Sequence, residues 1–393
     1  MEGQPQFDLV LFGATGFTGG LTADYLAANA PEGMRWALAG RNRSKLEAVA
    51  ERLAGSAGPK PEIVVADASD REAMRGVAGS TRVVVTTVGP YILYGEPLVA
   101  ACAAAGTDYV DLTGEPEFVD RMWVEHHAEA ERTGARIVHC CGFDSIPHDL
   151  GAYFTVKQLP EGVPLKVDGY VRSNAAFSGG TYHSAINAFG RARKTLAAAK
   201  ERKRLEPRPS GRAIHSASAR VRRDKELGGW AVPLPTIDGP IVLRSAAALD
   251  RYGPDFTYGH NMLAKHLTSV GALAAGVGTG FTLAQLPPTR KLLLKMKSPG
   301  EGPSEAKREK SWFKVRFVGE GGGRRVVTEV SGGDPGYSET SKMLAESGLS
   351  LAFDELPKTA GQVTTAAAMG DALLERLQKA GIEFRVIETS EKG

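Results

Sequence analysis

The chain has 393 residues, 42% hydrophobic and 24% charged, which makes it globular and long enough for two or three domains. A net charge of +3 argues against a nucleic-acid partner. The three cysteines, Cys102, Cys140 and Cys141, show no C-x-x-C or Cys/His metal spacing, which excludes a disulfide framework and predicts no metal site, with reduced thiols in a cytoplasmic setting. No basic region precedes the first apolar run, so no signal peptide is expected.

Phe7 to Phe12 (FDLVLF) is an almost continuous apolar run, the pattern of a strand buried on both faces of a parallel sheet. Gly13-Ala14-Thr15-Gly16-Phe17-Thr18-Gly19 follows at once, and Leu21 to Ala28 reads as a helix. Strand, glycine-rich turn and helix form the phosphate-binding unit of a dinucleotide fold. Glycine lets backbone approach a pyrophosphate, and the helix N-terminus offers free N–H groups to the anion. The spacing G-x-x-G-x-x-G is one residue longer than the usual one, and an ordinary glycine turn is the competing reading.

The alternation continues. Arg35–Gly40, Glu62–Ala66, Arg82–Val88, Tyr109–Leu112 and Arg136–Cys140 read as further strands. Ser44 with Glu47, and Ser69 with Glu72, have the spacing of capping boxes for the helices between them. A helix with Pro97 in its first turn ends at Gly106, and another runs from Pro116 to Gly134. This order predicts an α/β fold, a Rossmann-type doubly wound parallel sheet over residues 1–150, with ligands at the carboxyl ends of its strands.

The end of the second strand bears on the choice of cofactor. An NAD site usually places an acid there for the ribose 2′-hydroxyl. Here Arg41-Asn42-Arg43-Ser44-Lys45 has no acid and three bases. Arg41 and Arg43, assisted by Ser44 or Lys45, suit a 2′-phosphate dianion and predict NADP(H), unless they are only a solvated basic loop. Asp67, after the third strand, is placed either to meet the adenine or to close a turn. Gly89-Pro90-Tyr91, after the fourth, is placed beside the nicotinamide end.

GATGFTG, LAGRNRSKL, TTVGPY, YVDLTGE (Tyr109–Glu115) and CGFDSIPHDLG (Cys141–Gly151) together resemble the saccharopine dehydrogenase-like oxidoreductases, and most of all the bacterial trans-acting enoyl reductases. The resemblance implies NADPH-dependent reduction of an enoyl thioester held on an acyl carrier protein, in partnership with a polyketide synthase of lipid biosynthesis. It covers the first 150 residues as an ordered set. Ala360 to Phe384 is similar to the family's closing helix but has Thr364-Thr365 where the family usually has Thr-Pro. The middle of the chain matches weakly.

Leu165–Asn174 alternates as a strand, Ser178-Gly179-Gly180-Thr181 leads into a helix carrying Tyr182, His183 and Asn187, and Trp312–Val318 with Arg325–Val330 read as a hairpin. An α+β domain over residues 151–355 is therefore expected to be inserted before a closing helix and strand (356–393) that return to the first domain. Residues 191–225 hold 13 Lys or Arg against 3 Asp or Glu. They form either a solvated segment or a docking patch for an acidic carrier or anionic lipid headgroups. Leu267 to Leu286 has 20 residues without a charge, with four glycines, between Lys265-His266 and Arg290-Lys291. It is long enough to span a bilayer, but a buried helix pair, or an apolar surface for acyl chains or a peripheral membrane contact, fits its glycines better. Leu292 to Lys297 adds an apolar and basic edge.

An enoyl thioester taking up hydride at its β-carbon needs its oxygen stabilised and its α-carbon protonated. Tyr91, Tyr94 and Tyr182 are the candidate donors, with His183 beside the last. Ser145 is placed to bond the cofactor's carboxamide, or with Asp144 to cap the helix beginning near Pro147. Two other functions stay open on these residues: a saccharopine-type dehydrogenase acting on an amino-acid adduct, and an NADP-binding regulator without chemistry.

Overall fold

The computed structural model describes residues 5–391 apart from 57, 176–178, 226 and 296–301; of the Ser178-Gly179-Gly180-Thr181 lead-in and the Leu292–Lys297 edge, Ser178, Met296 and Lys297 fall outside them. The strands are β1 (Phe7–Phe12), β2 (Trp36–Gly40), β3 (Glu62–Val65), β4 (Thr81–Thr86), β5 (Asp108–Asp111) and β6 (Arg136–Val138). Then come β7 (Leu165–Ser173), β8 (Ala213–Ser216), β9 (Arg222–Asp224), β10 (Gly229–Pro233) and β11 (Asp255–Ala264). β12 (Phe313–Gly321), β13 (Arg324–Gly332), β14 (Gly361–Val363) and β15 (Glu383–Glu391) complete them.

β1 is buried at all 6 positions, as its apolar run requires. It lies between β4 and β2 in a seven-stranded parallel sheet of order β14-β6-β5-β4-β1-β2-β3. Side chains alternate between faces. Leu9 and Leu11 join Leu26, Met343 and Leu349 in one core. Val10 and Phe12 join Met74, Val77 and Leu98 in the other. The sheet is therefore covered by helices on both sides, a Rossmann-like arrangement. One covering helix, Ser338–Phe353, comes from the stretch assigned by sequence to the second domain. It packs so closely that a Cβ on Gly348 would lie 2.5 Å from Val85.

The second sheet is mixed, in the order β15-β13-β12-β7-β11-β10-β9, with β8 also paired to β11. β12 and β13 form the expected hairpin, turning through Gly322 and Gly323 at φ 56 and 79. Helix Ile146–Val156 lies on this sheet, where a Cβ on Gly151 would come 2.3 Å from the Phe317 ring.

Four sequence expectations change. Asn42 and Asp70, not Ser44 and Ser69, cap their helices, accepting from Lys45 N–H and from the Glu72 and Ala73 N–H groups; amide and carboxylate oxygens reach these donors as well as hydroxyls do. Residues 360–384 do not form one closing helix. They supply β14, the short helices Thr365–Ala368 and Gly370–Lys379, and the start of β15. Met369 separates the two helices, and Gly370, at φ 43, opens the second. β14 returns to the parallel sheet beside β6, but β15 pairs with β13 of the mixed sheet.

The third change concerns Leu267–Leu286. It is neither a buried pair nor a span: helix Leu267–Ala284 is one helix, and no helix among the described residues is long and apolar enough to cross a membrane. Its side chains are largely exposed, with Val277 at 48% and Phe281 at 42%.

The fourth change concerns the basic segment, which begins with helix Ala192–Leu205 and continues into β8 and β9. Arg193, Lys194, Lys200, Lys203 and Arg204 are exposed, but Arg202 is buried and does not belong to the patch. Its guanidinium pairs with Glu206 at 2.8 Å and Asp120 at 3.5 Å and lies over the Trp123 ring at 5.1 Å. Removing one member of a buried pair leaves its partners uncompensated. Arg202→Ala is expected to cost about 3 kcal/mol, read as a lower midpoint in thermal unfolding, while Lys203→Ala leaves the midpoint in place.

Candidate active site

A parallel sheet gathers the carboxyl ends of its strands at one edge, and the candidate residues gather there with them. The loop after β1 turns at Gly13, φ 95, whose N–H donates to the Ala39 carbonyl at 2.8 Å. Helix Phe17–Asn29 starts from Gly16 with no side-chain cap, so its first N–H groups stay available. Gly19 lies against the turn; a Cβ there would sit 2.1 Å from the Gly13 carbonyl oxygen. At Gly16 the nearest atom to such a Cβ is 3.5 Å away, and the residue is exposed. Ala14 is buried, Thr15 is exposed, and the Thr18 carbonyl accepts from Thr22 and Ser341. The Phe17 ring packs edge-on against Tyr337 at 4.9 Å. A tight glycine turn leading into an uncapped helix N-terminus fits a pyrophosphate.

Arg41, Arg43 and Ser44 are exposed after β2. The Ser44 hydroxyl donates to Asn42, and Arg43 lies 3.9 Å from Glu47. Asp67 closes a turn, accepting from the Ser69 N–H and hydroxyl at 2.9 and 2.7 Å. Those bonds and the nearby Arg41 charge hold its carboxyl below the usual carboxylate range. The edge therefore offers two exposed guanidinium groups suited to a 2′-phosphate.

After β4, the Gly89–Pro90 peptide is cis, and Gly89 is exposed. Tyr91 points inward. Its phenol donates to the Thr86 carbonyl at 3.0 Å and accepts from Leu112 N–H at 3.4 Å. Burial pushes that phenol well up. This is packing geometry, with the hydroxyl spent on the backbone of β4 and of the residue after β5. Tyr94 is 47% exposed beside Leu93. Tyr182, on helix Gly179–Gly190, donates to the Leu293 carbonyl at 3.1 Å and makes a ring contact with His183. The three tyrosines are therefore spread over the core, the surface and a separate helix pair.

A polar cluster occupies the space beyond β5 and β6. Glu115 accepts from the Tyr91 and Ile92 N–H groups at 3.0 Å each, and from the Ser184 hydroxyl at 3.2 Å. Asp111 is bound by His139 Nδ1 at 2.6 Å, the Tyr109 hydroxyl at 3.0 Å, and the Thr113 and Cys140 N–H groups. Ser145, at φ 127, makes no cap to its helix; its hydroxyl donates to Asp238 at 3.3 Å. Asp238 also lies 3.1 Å from His148 Nδ1 and 3.4 Å from His260 Nε2, and accepts from the Thr236 hydroxyl. Burial pushes the Asp238 carboxyl up, but the His148 charge and the His260 contact outweigh it and hold the group well below its ordinary value. Donor atoms of His148, Asp238 and His260 lie within 4.8 Å of one another. With two imidazoles and two hydroxyls already on the carboxylate, the trio is an ion-paired cluster.

Sequence reading missed Asp238 and His260. Ser145 and Asp238 are 93 positions apart, and nothing local marks either Asp238 or His260. Asp144 and His148 sit inside CGFDSIPHDLG, where their placement just past a strand end was the available signal. A cavity of about 750 Å³, lined by Arg82, Asp108, Arg136 and Lys358, opens at the amino ends of β4, β5 and β6. Ligands of parallel sheets bind at the other edge, so it is not the candidate site.

Comparison with known proteins supports the fold and the cofactor. Residues 9–138 match the family model of the saccharopine dehydrogenase NADP binding domain. The trans-acting enoyl reductase of Mycobacterium ulcerans is 37% identical over 96% of this chain and 97% of its own. That of Mycobacterium bovis is 36% identical over the same shares. The chain belongs to the trans-acting enoyl reductase family. A Mycobacterium tuberculosis protein given a provisional form of the same name is 41% identical over 97% of both chains. Apo saccharopine dehydrogenase (L-Glu forming) from Saccharomyces cerevisiae superposes with a TM-score of 0.56 over 97% of this chain and 100% of that one. At 14% identity it supports the fold alone. The family member described here is thus an NADP-dependent reductase, and the regulator without chemistry is set aside.

Proposed function

We propose that this enzyme reduces an enoyl thioester carried by an acyl carrier protein, in trans to a polyketide synthase of lipid biosynthesis. The observation that carries the reading is near-full-length similarity to enzymes named trans-acting enoyl reductases. When bound, NADPH supplies the hydride for the β-carbon. The residues proposed to hold it are Gly13, Ala14, Thr15, Gly16, Phe17 and Thr18 at the pyrophosphate, and Arg41, Arg43 and Ser44 at the 2′-phosphate. Asp67 is proposed near the adenine, and Gly89 and Pro90 beside the nicotinamide. Ser145 is proposed at the carboxamide through its hydroxyl oxygen as acceptor, since the hydroxyl's proton is donated to Asp238 and its backbone N–H is donated to the Phe143 carbonyl.

Two surfaces support a carrier-bound, lipid-like substrate. The exposed, uncharged helix Leu267–Ala284 packs against helix Gly179–Gly190 and offers apolar area to an acyl chain. The exposed cations of helix Ala192–Leu205, which contacts Gly179–Gly190 in turn, offer charge to an acidic carrier. An anionic membrane surface is the rival occupant of both.

NADPH oxidation with crotonyl thioester and keto compounds, and NADP+ reduction with saccharopine, test the chemistry; turnover of saccharopine and not of crotonyl thioester would overturn it. Docking is tested separately. Lys200→Glu, Lys203→Glu and Arg204→Glu together are expected to raise KM for crotonyl-carrier about tenfold, because each exposed pair contributes little and is screened by salt. Turnover of crotonyl-N-acetylcysteamine stays within twofold. An unchanged KM together with release from phosphatidylglycerol vesicles would assign the patch to membranes instead.

A further inference from the structure

We propose that the Asp144 carboxyl is the proton donor of the reaction, passing its proton to the α-carbon of the thioester; this rests on the reductase reading above. The residue lies just past β6, on the ligand-binding edge of the sheet, in the short connection to helix Ile146–Val156. It is half-buried, open enough to exchange a proton with solvent between turnovers. The carboxyl lies over Gly114, which follows β5. A Cβ at Gly114 would come within 3.1 Å of Asp144 Oδ2, so glycine there leaves the carboxyl its space.

The other acids of this region are committed. Asp111 and Glu115 are tied to backbone N–H groups and to side chains. Asp149 accepts from the Ser245 and Thr365 hydroxyls and from Ala366 N–H. Asp238 serves Ser145, Thr236 and two histidines. Among the described residues, no hydrogen bond or ion pair claims Asp144. It is the one acid here that is free to give up a proton and take it back. The Tyr91 phenol, by contrast, is closed inside the core.

The surroundings keep a proton on Asp144 near neutrality. Burial and then the Asp238 carboxylate push it up to about 7, with His148 opposing them. Asp238 comes from helix Asp238–Ala248, His148 from helix Ile146–Val156, and Glu115 and Cys140 stand at the neighbouring strand ends. A donor poised near the working pH gives the best balance of protonation and driving force.

The step balances. The carbon–carbon double bond of the enoyl thioester is reduced as the β-carbon accepts hydride, and its π electrons move toward the thioester carbonyl. As they return, a new C–H bond forms at the α-carbon with the Asp144 proton. Asp144 is left as a carboxylate and regains its proton from water. His148, Asp238 and His260 are positioning residues that set its charge.

The test uses the full chain, NADPH and crotonyl-N-acetylcysteamine. Asp144→Asn is expected to lower kcat about 10²–10³-fold, the usual contribution of general acid catalysis. KM, NADPH affinity by fluorescence and the unfolding midpoint should stay near wild type. Wild-type kcat should be flat at low pH and fall above neutrality as the acid is lost. His148→Gln removes an opposing positive charge and should move that fall to higher pH; Asp238→Asn removes a repelling one and should move it lower. A readout free of substrate is the infrared stretch of a protonated carboxyl at pH 6, present in the wild type and missing in Asp144→Asn. Turnover of Asp144→Asn within threefold of wild type, or no such band, overturns the assignment while the reductase reading stands. A wild type that shows the band but oxidises no NADPH with any enoyl thioester overturns the reductase reading, and the donor role with it.

Discussion

Gly16→Val is expected to abolish NADPH binding without unfolding the protein. The backbone at Gly16, φ −78 and ψ 167, is extended, a conformation valine prefers. Within the chain, an added Cβ meets nothing closer than the Gly13 carbonyl at 3.5 Å. The added side chain therefore projects into the space before the helix N-terminus, where the pyrophosphate is proposed to lie. Losing close approach and access to the N–H groups together should weaken NADPH more than 100-fold, with at least two charge-assisted hydrogen bonds of about 1.5–3 kcal/mol each at stake. Gly19→Ala is the instructive contrast. Its Cβ would fall 2.1 Å from a carbonyl oxygen that cannot move without the turn, so it should also cost about 1–3 kcal/mol of stability. Fluorescence titration and thermal unfolding separate the two variants. Unchanged NADPH affinity in folded Gly16→Val would remove the loop from the cofactor site.

The parallel sheet was legible because each of its first six strands carries its own evidence. An apolar run, a turn and an amphipathic or capped helix repeat within about thirty residues, so local pattern and topology agree. What was not legible shares one cause: the deciding partner lies far away in the chain. Helix Ser338–Phe353 is buried on nearly every side, which removes the amphipathic stripe that would have announced it. Arg202 is one cation among many until Asp120, Glu206 and Trp123 close around it. β15 alternates weakly and was assigned to the nearer sheet, yet its partner is β13.

The candidate site divides along the same line. The glycine loop and the Arg41–Lys45 turn are local features whose position on a strand end assigns a role to each side chain. The polar cluster is not local. Asp144, His148, Asp238 and His260 acquire meaning only when the mixed sheet delivers β11 and the helix following β10 to the edge of the parallel one. Tyrosines near the Gly89–Pro90 turn were attractive on chemistry alone. The inward path of Tyr91 shows why proximity in sequence to a strand end does not give access to the cleft: the residue just after a turn often packs beneath it, and here Phe118 lies against its ring.

Arg41→Asp combined with Arg43→Ala should reverse the preference for NADPH over NADH. Both guanidinium groups are exposed beyond β2, where the ribose of a dinucleotide is expected, and Arg43 has only a 3.9 Å contact to Glu47. Neither therefore supports the fold, and the unfolding midpoint should not change. Each charge-assisted hydrogen bond to a phosphate is worth about 1.5–3 kcal/mol, so removing two should weaken NADPH at least 100-fold. The new aspartate adds repulsion toward the dianion and an acceptor for a ribose hydroxyl. NADH, which has that hydroxyl in place of the phosphate, should bind no worse and up to tenfold better. Lower ionic strength should sharpen the loss for NADPH and leave NADH unaffected, since only one carries the extra charge. Parallel fluorescence titrations at two salt concentrations read both effects. An equal loss for the two cofactors would mean that Arg41 and Arg43 act on a part the cofactors share, and would move the 2′-phosphate elsewhere on the edge.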